Sequence, residues 1–200
     1  MSLELIIGPM FAGKSTAALQ RIRRAEVLGR KIFVVSSIID TRYDSGGCAL
    51  KTHNNDGMAA VGVKELTEVF YLTSYHDAQL IVIEEAQFFK ELYDPVKRMV
   101  EVDKKSVIVV GLDGDSERKP FGQILDLIPI TDTITKLTAL CKRCPRETPG
   151  LFSALMGEKN EQICVGGVGK YEALCREHYI GRKLVKTTSI RPASITSRNF

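Results

Sequence analysis

Leu3-Glu4-Leu5-Ile6-Ile7-Gly8-Pro9-Met10-Phe11-Ala12-Gly13-Lys14-Ser15 is the stretch whose reading decides the fold. Its first five residues are an apolar run of the length of one buried strand. Gly8 to Ser15 then match G-x-x-x-x-G-K-[ST]. From Thr16 to about Leu28 the apolar residues Ala17, Leu19, Ile22, Ala25 and Leu28 recur at helical spacing, and Gly29 marks a stop. A strand, a glycine-rich turn and a helix in that order form a phosphate cradle. The chain at Gly8, Pro9, Met10, Phe11, Ala12 and Gly13 can curl so that backbone N–H groups face phosphate oxygens. The helix start adds a dipole that favours anions. Lys14 has the reach for β- and γ-phosphates, and the Ser15 hydroxyl suits magnesium.

Working outward, residues 31–36 (KIFVVS), 79–83 (QLIVI) and 106–112 (SVIVVGL) read as further buried strands. Residues 64–72 read as a weak helix. Residues 89–104 read as a helix restarted or kinked at Pro95. The polar, glycine-containing segment 37–63 reads as one long loop. Alternating strands and helices imply an α/β fold: a P-loop NTPase-like parallel sheet with helices on both faces. From about residue 140 the texture changes to short strands and glycines. The expected organisation is a nucleotide-binding domain over 1–139, a small metal-binding domain over 140–182, and a disordered basic tail over 183–200.

Two clusters carry further chemistry. The third strand ends in Glu84-Glu85. Strand ends of a parallel sheet line the ligand crevice. There one carboxylate can hold magnesium and the other accept a proton. Cys141-x2-Cys144 and Cys175-x2-His178 are two knuckles 30 residues apart, a donor set for a closed tetrahedral zinc site of structural type. Cys164 is the rival for the fourth position. His53 and His76 are isolated and read as surface residues.

Composition narrows the classes. The chain has 200 residues, 44% hydrophobic and 26% charged, an ordinary globular balance. No apolar run approaches the ~18 residues of a membrane span. MSLELIIGPM has neither the basic start nor the cleavage site of a secretory leader. Five cysteines without such a leader predict metal binding or free thiols in reducing cytosol. The net charge of +4 lies in the end of the chain. Residues 182–200 hold five basic and no acidic residues, which leaves 23 basic against 24 acidic elsewhere. That predicts no nucleic-acid face.

Taken together, GPMFAGKST, DTRY, the acidic pair followed by QFF, GLDGDSERKPFG, both knuckles and GGVGKY resemble the cellular-type (type II) thymidine kinases over residues 3–182. The resemblance implies transfer of the γ-phosphoryl group of ATP, with Mg2+, to the 5′-hydroxyl of thymidine or deoxyuridine. The product would be thymidine monophosphate for nucleotide salvage. It implies a zinc domain bearing a lasso loop over the nucleoside, feedback inhibition by dTTP, and a cytoplasmic homotetramer that binds neither membrane nor nucleic acid. Residue by residue, it implies Glu85 as catalytic base. ATP and magnesium would meet the phosphate loop, Asp40, Thr41, Arg42, Glu84 and Gln87. The nucleoside would meet Met10, Phe88, Leu112, Ser116, Phe121, Ser153 and Tyr171, and the lasso backbone Gln162, Ile163, Cys164, Val165 and Gly166.

The chain departs from the family pattern at five points. Glu84 stands for Asp, predicting a shifted or water-mediated metal contact. Ala86 stands for Gly, tolerable unless φ is positive there. Ser116 stands where many members carry Phe, which removes packing area. His178 stands for a common Cys, and the zinc-domain loop is about two residues longer. The competing reading is a P-loop ATPase with a nucleic-acid-binding zinc ribbon. Residues 141–181 carry six basic and five acidic residues, a mixed surface that speaks against it.

Overall fold

The computed structural model describes residues 1–39, 49–51, 57–156 and 169–187. Six strands form one parallel sheet in the order β5-β2-β6-β7-β1-β8. They are β1 (Ser2–Ile7), β2 (Ile32–Ser37), β5 (Val61–Val63), β6 (Leu80–Glu84), β7 (Ser106–Gly111) and β8 (Thr133–Lys136). Two short strands, β3 (Ala49–Lys51) and β4 (Gly57–Ala59), pair antiparallel with each other outside the sheet.

The central strands are apolar at successive positions because both faces are covered. One face carries Leu3, Leu5, Phe33, Val35, Ile81, Ile83, Val107 and Val109. It packs against Val96 and Met99 of α3 (Tyr93–Glu101), Tyr75 of α2 (Thr73–Asp77), and Ile124 and Leu127 of a 3-10 helix, Ile124–Ile130. The other face carries Ile6, Val34, Val82, Ile108 and Val110. It packs against Ala18, Leu19, Ile22 and Ala25 of α1 (Lys14–Val27). Helices on both faces of a parallel sheet are what the sequence predicts.

Strand ends are brought level by the register. Ile7 pairs with Gly111, Ile83 with Val109, and Ser36 with Glu84. The phosphate loop, the acidic pair and the segment after β7 therefore leave the sheet side by side.

Three details differ from the sequence reading. Segment 37–63 is not one loop, since β5 closes the sheet beside β2 and Ile38 N–H donates to the Val63 carbonyl at 3.0 Å. A three-residue strand with glycine at its centre has too little pattern to read. The helix read over 89–104 starts at Tyr93, which places Pro95 in the first turn, where its missing N–H costs nothing. Strand β8 is an edge strand of mostly exposed side chains, without the apolar run that marks its neighbours.

Among the described residues the small unit consists of two antiparallel pairs and a helix: β9 (Ala139–Leu140) with β10 (Pro149–Gly150), β11 (Phe152–Leu155) with β12 (Tyr171–Leu174), and α4 (Arg176–Thr187). Its core is Cys141, Ala154, Leu174, Cys175 and Tyr179, with Cys144 and Phe152 against it. Helix α4 continues past the 182/183 boundary expected from sequence. Among the described residues no helix is long and apolar enough to cross a membrane.

Gly8 sits where β1 turns into the phosphate loop, at φ +151°. A Cβ there would lie 2.4 Å from the Leu137 carbonyl oxygen, on the segment after β8. Gly8→Ala is expected to destabilise the protein by about 1–3 kcal/mol through that overpacking. Chemical denaturation measures it, and an unchanged midpoint would show that the close approach does not matter.

Candidate active site

The phosphate loop closes on itself. Phe11 takes a left-handed conformation at φ +64°, as does Gly13 at φ +77° immediately before α1. The Lys14 ammonium donates to the Pro9 carbonyl at 2.8 Å, keeping the positive charge against the loop. Ser15, in the first turn of α1, donates its hydroxyl to Glu84 Oε1 at 2.5 Å. The loop and the end of β6 thus share one bond, and Glu84 is buried there. A hydroxyl and a carboxylate oxygen side by side at a phosphate loop are hard donors of the kind magnesium takes. The extra methylene of Glu84 still lets its carboxylate meet Ser15.

Glu85 follows at φ +51°, a left-handed conformation uncommon outside glycine. Such backbone outliers cluster at functional sites. The chain leaves β6 there through a 3-10 turn, Ala86–Phe88. Ala86 is not among the positive-φ residues, so the replacement of glycine meets the condition set by its conformation.

Gln87, expected from the resemblance beside ATP and magnesium, is buried. Its Nε2 donates to Glu85 Oε2 at 2.5 Å, and its Oε1 accepts the Leu112 N–H at 3.0 Å. Phe88 and Phe121 meet edge to face with ring centroids 5.7 Å apart, an apolar wall next to the acidic pair. Leu112 is half-buried just beyond β7.

The small unit reaches the phosphate loop directly. Ser153 of β11 is buried, and its hydroxyl accepts the Met10 N–H at 2.9 Å. Ser116 is also buried. Its carbonyl accepts the Tyr179 hydroxyl at 2.6 Å and Arg182 Nη2 at 2.9 Å. The Arg182 guanidinium lies 4.0 Å from the Tyr179 ring centroid, and its Nη1 donates to the Leu155 carbonyl at 3.2 Å. Sequence reasoning missed both links. Met10 and Ser153 are 143 positions apart, and no local pattern announces their contact. The turn that presents Ser116 was more accessible. Asp115 Oδ1 accepts the N–H groups of Glu117 and Lys119, which is what an aspartate in a turn commonly does.

Cys141, Cys144, Cys175 and His178 come together with all ligand atoms within 4.8 Å of one another. His178 Nδ1 lies 3.6, 3.4 and 3.3 Å from the sulfurs of Cys141, Cys144 and Cys175, and the Cys144 and Cys175 sulfurs are 3.8 Å apart. Tetrahedral zinc, with Zn–S about 2.3 Å and Zn–N about 2.0 Å, spaces its ligands by about 3.5–3.8 Å. The four residues could hold such an ion. Burial works against the Cys141 thiolate. Backbone N–H groups of Cys175 and Arg143, with the Cys144 and Cys175 thiols, outweigh it and bring the thiol down to about 6. Thiolate is the form a metal needs.

Tyr171, in β12, is half-buried and pairs with Leu155. Asp40, Thr41, Arg42 and the lasso residues Gln162, Ile163, Cys164, Val165 and Gly166 lie outside the described residues, as does His53.

A parallel sheet with a phosphate loop after β1, an acidic pair at the end of β6 two strands away, and beside the loop a unit whose Cys and His cluster could hold a metal is the arrangement of a P-loop nucleotide-binding protein. The particular family comes from comparison. The family model for thymidine kinase matches residues 1–179. The thymidine kinase of Vaccinia virus (strain Ankara) is 40% identical over 179 residues, 90% of this chain and 97% of the relative. That of Variola virus is 39% identical over 178 residues, 89% and 96% of the two chains. Thymidine kinase a of Arabidopsis thaliana is 38% identical over 187 residues, 92% and 77% of the two chains. The chain belongs to the thymidine kinase family.

Ser153→Ala leaves the buried Met10 N–H without its acceptor and is expected to cost about 1–3 kcal/mol, whereas Ser153→Thr keeps the hydroxyl and most of the stability. Thermal unfolding of the two variants side by side checks this. Equal losses would mean that the bond contributes nothing.

Proposed function

We propose that this enzyme transfers the γ-phosphoryl group of ATP to the 5′-hydroxyl of thymidine, giving thymidine monophosphate. The observation that supports the reading is the Ser15–Glu84 bond, which ties the end of β6, where Glu85 follows, to the start of α1. Family membership supplies the nucleoside. Phosphoryl transfer asks for positioning and charge neutralisation more than for covalent chemistry.

Backbone N–H groups from Gly8 to Gly13 and the Lys14 ammonium bind the triphosphate. Ser15 and Glu84 would hold magnesium, which would supply positive charge against the triphosphate. Glu85 takes the proton of the 5′-hydroxyl as that oxygen bonds to the γ-phosphorus. The bond to the β,γ-bridging oxygen breaks, and ADP leaves with the electron pair. Phe88, Leu112 and Phe121 bound the base and sugar, and Ser116 and Ser153 line the same side. Tyr171 and the backbone of residues 162–166 cover the nucleoside. Water is kept from competing as acceptor. Asp40, Thr41 and Arg42 complete the phosphate and metal contacts. The family also supports a cytoplasmic homotetramer under feedback by dTTP, acting in nucleotide salvage.

Purified protein is expected to convert thymidine and ATP to thymidine monophosphate and ADP, and Glu85→Gln to lower kcat by roughly 10²–10⁴-fold while remaining folded. ATP binding without any thymidine product would overturn the acceptor assignment. Full turnover by Glu85→Gln would overturn the base.

The Cys141, Cys144, Cys175 and His178 set is assigned structural zinc, since four protein ligands close the coordination shell. Metal analysis should return one zinc per chain, and Cys144→Ser should lose most of it together with the fold of the small unit. Retention of full metal content by that variant would sink the assignment.

A further inference from the structure

Gln87 is 3% exposed, and both ends of its side-chain amide have partners fixed by chemistry. The Leu112 N–H can only donate, so the atom facing it at 3.0 Å must be the carbonyl Oε1. That leaves Nε2 toward Glu85, where it donates to Oε2 at 2.5 Å. The backbone at the end of β7 thus decides which way the amide points, and the amide then holds one oxygen of the carboxylate.

The surroundings are built for this side chain. A Cβ on Gly111 would stand 2.4 Å from Gln87 Oε1 and 2.9 Å from Ile124 Cδ1, so glycine makes room for the amide. A Cβ on Gly122 would stand 2.5 Å from the Gln87 carbonyl oxygen, so the backbone of Gln87 is held closely as well. Glu85 itself has left strand geometry at φ +51°. A long carboxylate on such a turn has rotamer freedom to lose before it can accept a proton in one direction.

We propose that Gln87 is a positioning residue that fixes the Glu85 carboxylate for proton transfer. This rests on the reading of Glu85 as the base. The Gln87 amide is turned to the Glu85 carboxylate and to Leu112, so it acts on the base directly. A hydrogen bond from a neutral amide to a carboxylate is charge-assisted, and since this one holds the group that accepts the proton, its loss is felt in turnover.

The test is a double-mutant cycle on the full chain, with kcat and the KM values for thymidine and ATP measured for the parent, Gln87→Met, Glu85→Gln and the double variant. Gln87→Met should lower kcat roughly tenfold to a hundredfold, with the KM for thymidine within about twofold. In the Glu85→Gln background the same change should cost less than about twofold more, because the group it positions is gone. A purely structural role would give equal losses in both backgrounds, which overturns the proposal, as does an unchanged kcat for Gln87→Met alone. If Glu85→Gln turns over at the parental rate, the Glu85 reading falls first and the role of Gln87 falls with it. Should Gln87→Met not yield folded protein, Gln87→Asn takes its place. Its amide is too short to span from Leu112 to Glu85, and the same expectation holds.

Discussion

All six strands of the main sheet run the same way, and both faces of that sheet are buried. A buried face has no place for an unpaired charge. Polar chemistry is therefore confined to strand ends, and a parallel sheet brings those ends to one edge. Here β1 delivers Gly8, β6 delivers Glu84 and Glu85, and β7 delivers Leu112. The remaining features depend on that alignment. Ser15 meets Glu84 because α1 starts at the same edge, and Gln87 meets Leu112 because β6 and β7 are neighbours. The small unit then attaches to this edge through Ser153 and Met10.

Sequence carried the parts of this arrangement that are local. The phosphate loop declares itself because glycine, lysine and serine are needed at fixed offsets between a strand and a helix. The Cys and His cluster declares itself because two knuckles impose spacing. The central strands are plain since burial on both faces leaves no polar alternation to confuse with a helix. What escaped was either short or distant. Strand β5 is three residues around a glycine, and β8 shows exposed threonine and lysine at a sheet edge. The bond from Met10 to Ser153 and the anchoring of the Ser116 carbonyl join residues far apart in the chain. Pattern reading has no access to such pairs. The resemblance to the family named Ser153 and Ser116, but as neighbours of the nucleoside, not as links between the two units.

The departures from the family pattern have local accommodations. Glu84 keeps its bond to Ser15 despite its added length. The left-handed residue of the turn is Glu85, so Ala86 bears no conformational penalty for its methyl group. His178 turns Nδ1 to all three sulfurs at distances zinc would use. Ser116 offers no ring, yet its backbone is tied down by Tyr179 and Arg182. The segment from Asp115 to Lys119 is thus shaped from two directions, by the Asp115 carboxylate inside the turn and by α4 outside it.

Arg182 has a consequence for where the working chain ends. The last residue of the Cys and His cluster is His178, and the family match stops at residue 179. Yet three residues later one guanidinium spans the Ser116 and Leu155 carbonyls and lies over the Tyr179 ring. A chain cut just after Tyr179 would retain every residue of that cluster and lose the cross-brace between α4, β11 and the turn at Ser116. The folded part of the small unit thus extends past the Cys and His cluster to an arginine that ties α4 to the rest of the protein.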